Sequence, residues 1–219
     1  MGERRRVIKH IGLTILGLAL PTLAAASEPR PLDDEVLAEI NYVRTHPQDY
    51  AEELRHYRDL FDGNVVHVAG DPVGEQTREG VAAVDEAIAW LDRQQPVSPL
   101  QPGAILSSAA EDLVEEQGES GATGHISANG SAGERARRHG GDIFVGETIS
   151  YGYADPEAVV RQLVIDDGVP RRGHRTLLFS AGYRFAGVGC GPHPRDRYMC
   201  VIDFSGTANG GPQLPTADG

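Results

Sequence analysis

The 219-residue chain holds one lysine, two cysteines and one tryptophan. Beyond Lys9 every positive side chain is arginine, so no amine is on hand for Schiff-base chemistry. Cys190 and Cys200 do not form a C-x-x-C pair, and two thiols alone make a poor zinc site, which argues against redox or cysteine-only metal chemistry. There is no G-x-S-x-G elbow, no H-E-x-x-H pair and no phosphate-binding glycine loop. The one long apolar run, Ile11 to Leu23, falls short of the ~20 residues of a spanning helix. No second run follows it, so the chain does not read as an integral membrane protein.

What is present begins with export. Arg4, Arg5, Arg6 and Lys9 precede that apolar run, and Ala24-Ala25-Ala26 follows it, the three-part layout of a signal peptide over residues 1–26. The Arg4-to-Lys9 segment fits a twin-arginine signal as well as an ordinary basic leader. A secreted or periplasmic location is expected, with no cysteine placed for a lipid anchor. Such a compartment would let Cys190 and Cys200 pair, and a chain reversal near Arg195 would set them face to face across a hairpin. Cleavage removes four basic residues and one acidic one, so 193 residues remain and the net charge moves from −12 to −15. That length suits one hydrophobic core. The charge disfavours nucleic acid and anionic membranes and favours cations or basic partners.

Along the mature part, Asp33 caps a predicted helix through Val36, Leu37, Ile40 and Val43, and Pro47 opens a second with Tyr50, Ala51, Leu54 and Tyr57 on one face. From Asp62 to Gly80 the periodicity is lost, which predicts an irregular insertion. Helical spacing returns at Val81, Val84, Ile88 and Leu91, and again from Ile105 to about Gln117. Gly118 to Gly141 reads as a loop region with a short helical piece at Glu134 to Arg138. Asp155-Pro156 opens a last helix through Val159, Val160, Leu163 and Val164. Strands are expected at Phe144 to Ser150, around Tyr183 and Phe185, and through Tyr198, Cys200, Ile202 and Phe204. Helices first and a short antiparallel sheet late predict an α+β domain over residues 27–205, with a flexible tail at 206–219.

The residues able to carry chemistry sit beside glycines or turns: Gly124-His125, Gly146-Glu147, Asp166-Asp167 and Gly173-His174-Arg175. Two imidazoles and two or three carboxylates suit a divalent-cation site or a general acid/base pair, if the fold brings them together. Ser127, two residues after His125, has no nucleophile motif around it. Asn129-Gly130-Ser131 is formally a glycosylation sequon but first of all a turn signal.

The series Gly124-His125, Gly146-Glu147-Thr148-Ile149, Gly173-His174-Arg175 and Gly187-Val188-Gly189 resembles the CAP superfamily of cysteine-rich secretory, antigen 5 and pathogenesis-related 1 proteins, in its bacterial SCP-domain branch. Asn41-Tyr42-Val43-Arg44, Pro47 and Tyr50-Ala51 add to the match, which spans about Asp33 to Ser205. The resemblance implies a three-layer α-β-α sandwich with a small, mainly antiparallel central sheet and a central cleft. It implies that His125 and His174 bind a divalent cation, zinc foremost with magnesium or calcium also open, and that Glu147 and either Asp166 or Asp167 are the cleft acids. A small ligand, lipid, peptide or cell-envelope component would be the partner of a binding module. The alternative is a metal-assisted, protease-like hydrolase with Glu147 as candidate base. Three positions depart from the family pattern: the second acid is an aspartate instead of a glutamate, Thr148 stands for a frequent asparagine, and Arg175 for an aromatic.

Overall fold

The first helix, α1 (Leu32–Thr45), places Asp33, Asp34 and Glu35 in its first turn, where carboxylates answer the helix dipole. Asp33 therefore lies inside the turn rather than at the cap. The computed structural model describes residues 32–212, and the expected leader falls outside them. Pro47 opens α2 (Pro47–Arg58), which buries Tyr50, Ala51 and Leu54 as its spacing predicts.

The segment expected to be irregular contains a three-stranded antiparallel sheet, β1 (Phe61–Asp62), β2 (Val65–Val66) and β3 (Glu75–Gln76). Strands of two residues have no readable alternation, which is why the pattern looked lost. Gly63, at φ 61°, supplies the left-handed residue that the β1–β2 turn needs.

Next come α3 (Val81–Leu91), the brief β4 (Gln101–Pro102) and α4 (Ala104–Ser120), which ends at Gly121 in the left-handed conformation. Then α5 (Ala132–Arg138) starts two residues before the expected piece, because Ser131 and Glu134 form a reciprocal capping box. It is followed by β5 (Gly146–Tyr151) and by α6 (Pro156–Ile165), capped by Asp155 through the Ala158 N–H at 2.9 Å. A single 3₁₀ turn at Pro170–Arg172 leads into α7 (Gly173–Leu178), and β6 (Phe185–His193) and β7 (Arg197–Ser205) form a hairpin. Cys190 and Cys200 pair directly across it and are joined by a disulfide.

The main sheet runs β4-β6-β7-β5, antiparallel except where β4 meets β6. Ala186 and Val188 of β6 and Cys200, Ile202 and Phe204 of β7 face a core shared with α1, α2, α3 and α6. The opposite face packs Met199, Val201 and Ile149 under α4. The fold is thus the expected α+β arrangement of helices on both faces of a small, mainly antiparallel sheet. Contact with α4 is close because β6 offers glycine on that side: a Cβ at Gly187 would come within 1.9 Å of the Ser107 nitrogen. Asn41 and Arg44 fasten α1 to the chain before β4, Asn41 by a reciprocal pair with Leu100 and Arg44 by donating to the Ser98 carbonyl at 2.8 Å. Beyond β7, Asn209 and Gly210, assigned from the sequence to the tail, accept hydrogen bonds from Asp142 and Phe144. Among the described residues no helix is long and apolar enough to cross a membrane.

Candidate functional site

His125 lies in the loop between α4 and α5, just after Gly124, whose φ of 104° favours glycine. Both polar groups of Gly124 are pinned: its N–H donates to the Tyr151 hydroxyl at 2.9 Å, and its carbonyl accepts from Gln117 at 2.7 Å. Tyr151 donates in turn to Gln117 at 2.7 Å, closing a small ring that fixes where the histidine emerges. The imidazole Nδ1 is 2.8 Å from Glu147 Oε1; the histidine side chain is 52 % exposed and that of Glu147 only 5 %. Arg135, fully buried, forms an ion pair with Glu147 Oε2 and donates to the carbonyls of Ala109 at 2.9 Å and Gly130 at 3.1 Å.

The second pair is built at the junction of α6 and α7. Asp166 ends α6 with φ 58°, and its buried carboxylate accepts from the His174 backbone at 2.9 Å and lies 2.7 Å from His174 Nδ1. Asp167 turns the other way. Its two oxygens accept the backbone N–H groups of Arg78 and Glu79 at 2.7 and 2.8 Å, so it fastens the β1–β3 sheet instead of facing a histidine. Of the two aspartates left open by the sequence, Asp166 is the one paired with an imidazole. Four non-glycine residues with positive φ occur among the described residues, and Asp166, Arg171 and Arg172 are three of them. Left-handed backbone is thus concentrated in the segment that leads into His174, as it tends to be where a side chain must be aimed.

An ionised carboxylate can only accept, so each Nδ1 carries a hydrogen, and in the neutral imidazole Nε2 then presents its lone pair. This carboxylate–imidazole pairing is the support that metal-binding histidines commonly have. The donor set therefore suits a divalent cation held by imidazole nitrogens, with Glu147 and Asp166 behind them as supports. Among the described residues no three His, Cys, Asp or Glu side chains gather into a metal cluster, and no hydrogen bond links one histidine pair to the other. A cavity of about 400 Å³ opens along the free edge of β5, with Ile149, Tyr151, Tyr153, Asp166 and His174 among its walls. Ile149 and Tyr151 share their face of β5 with Glu147, since side chains two apart on a strand point the same way.

Several supporting residues escaped the sequence. Arg135 follows a capping box that was legible as Ser131-x-x-Glu134, but nothing in that pattern marks the arginine as buried. Asp203 lies opposite Glu147 in the β5–β7 register and is fully buried; burial first, and then the Glu147 charge, push its carboxyl well above the ordinary range. Its signal was its place on the strand face of Met199 and Val201. Trp90, the one tryptophan, stands half-buried with the Arg175 guanidinium 5.3 Å from its ring and Phe179 edge-on.

The model of the cysteine-rich secretory protein family, CAP, matches residues 37–204. No curated protein matches the chain. Among solved structures, an extracellular SCP-domain protein of Bacillus anthracis is similar at 17 % identity and a TM-score of 0.41, over 57 % of this chain and 38 % of its own. The chain thus spans well under half the length of that protein. An outer surface protein of Borrelia burgdorferi is similar at 16 % identity and a TM-score of 0.41, over 49 % of this chain and 77 % of its own. Likeness at that level says nothing of ligand or activity.

Proposed function

The chain belongs to the cysteine-rich secretory protein (CAP) family, and from that premise we propose that it is an exported binding module whose cleft takes a divalent cation, zinc foremost, together with a small ligand, lipid or peptide. One observation carries the cation: both histidines are backed at Nδ1 by a buried carboxylate, which leaves both Nε2 atoms for a ligand. A bound cation, held by the histidines, would supply Lewis acidity; the chain's own carboxylates Glu147 and Asp166 orient the imidazoles. The β5-edge cavity, at about 400 Å³, has room for a small organic group beside His174. Export is supported by the basic leader and by the Cys190–Cys200 disulfide, a bond that persists in oxidising compartments.

Glu147 bears on the hydrolase alternative. One of its oxygens pairs with His125 and the other with Arg135, so serving as a base toward water would cost an ion pair. That commitment favours binding over turnover.

Calorimetry with zinc on the exported form tests the proposal. The His125→Ala/His174→Ala double variant should lose measurable affinity. Glu147→Gln and Asp166→Asn should each weaken it by about 10- to 100-fold, the usual effect of removing a carboxylate behind a ligating imidazole. Unchanged affinity in the double variant would overturn the cation site.

A further inference from the structure

Asp203 is a buried ionisable group that the histidine pairs do not employ. It is fully buried in β7, and among the described residues neither carboxyl oxygen meets a hydrogen-bond donor. Its surroundings are few. On β5 it faces Glu147; on β6 the residue across is Gly187, which brings no side chain; on α4, Leu106 and Ser107 close over that glycine. The nearby cation, Arg135 of α5, has given its ion pair to Glu147 and its other donors to backbone carbonyls. His125 pairs with Glu147.

One buried guanidinium thus faces two carboxyl groups. Glu147 answers it directly. A second anion beside Glu147 would be buried without a donor of its own, a state that a carboxyl group escapes by keeping its proton. Glu147 is then the neighbouring acceptor for that proton.

We propose that Asp203 is held as a neutral carboxylic acid at neutral pH and acts as a positioning residue, filling the place beside Glu147 so that Glu147 remains the single anion shared by Arg135 and His125. This deepens the reading of the same cleft. Its test is run on metal-free protein, so the proton at Asp203 and the cation site fail or stand separately.

The difference infrared spectrum of wild type minus Asp203→Asn, taken at pH 8, should show the C=O band of a protonated carboxyl in the wild type alone. That pH lies above the titration of Glu39, the other carboxyl pushed far up, to about 7. Stability against pH gives the second readout. A carboxyl whose folded pKa is raised costs stability progressively as pH climbs past its ordinary value of 3.8, because the native state holds a proton that the unfolded chain has lost. Across that window the folding equilibrium constant of the wild type should fall, relative to Asp203→Asn, by up to about tenfold per pH unit. The amide, a neutral isostere, should match the wild type in acid and exceed it at pH 8. Should the variant fail to fold, the ¹³C carboxyl titration of wild-type Asp203 answers the same question. An ionised Asp203 at pH 7 by either spectroscopy, or parallel stability curves, overturns the proposal.

Discussion

Thr148 shows how a single buried hydroxyl can work against the fold. It sits in β5 directly after Glu147, fully buried, and its Oγ1 has no hydrogen-bond partner among the described residues. A buried donor left unmade costs about 1–3 kcal/mol, whereas a methyl group of the same shape carries no such penalty. Thr148→Val is therefore expected to raise stability by about 1 kcal/mol in urea denaturation, with zinc affinity unaltered; a loss of stability would sink this account. The contrast with Asp166 and Asp167 is instructive. The two adjacent carboxylates do unrelated work, one behind His174 and one on the backbone of Arg78 and Glu79, and the left-handed φ at Asp166 separates them. Residue type revealed that acids were present at this turn. Direction depended on a backbone angle that no residue pattern near Asp166 announced.

Among the elements, the β1–β3 sheet and the α6–α7 connection hold each other by a reciprocal clasp. Asp167 accepts from the backbone of Arg78 and Glu79, while Glu79 accepts from the Gly168 N–H at 2.6 Å and pairs with Arg172 at 2.7 Å. The Arg172 hydrogen bond first, and then that of Gly168, hold the Glu79 carboxyl down at about 2. A depressed folded pKa contributes stability that is full above the ordinary value of 4.5 and is lost as pH falls toward the folded one. Hydrogen exchange should accordingly speed up over residues 61–80 between pH 5 and pH 3, after correction for intrinsic rates, while α4 and β7 stay protected. Uniform protection at both values would show that the clasp does not hold the sheet. These are also the elements least legible in the sequence. The helices α2 and α6 announced themselves by period and by proline or aspartate at the start, and α3 by period alone, because each spans three turns or so of repeated contact with one core. The two-residue strands offered no period, and α7 is a helix of under two turns inside a run of glycine and arginine.

For the whole molecule, the unevenness of charge decides how stability should respond to pH. The mature chain is strongly acidic, and titration of acids above pH 4 adds to that repulsion. Buried and half-buried carboxyls pull the same way, Glu39 and Asp203 most strongly. Desolvation first, and then Glu53, Glu157 and Asp155, push Glu39 up to about 7, and burial pushes Asp203 well above its ordinary range. Each is a group with a raised folded pKa, so its contribution is complete in acid and fades as pH rises through that folded value. The Glu79 clasp and the Asp112 ion pairs with Arg138 and His139 act in the opposite sense, since Glu79 and Asp112 have depressed pKa values and need to be ionised. The depressed groups are satisfied once the pH passes about 4 to 5, and from there upward the raised ones cost stability, because the unfolded chain loses protons that the native state still holds. Their overlap places the maximum in mildly acid solution rather than at neutrality. Thermal melts of the exported form from pH 3 to pH 9 should peak near pH 5 and decline steadily through pH 8, and Glu39→Gln should flatten the decline between pH 5 and pH 8. A maximum at pH 8 or above would mean that the ion pairs outweigh the buried carboxyls, contrary to this balance.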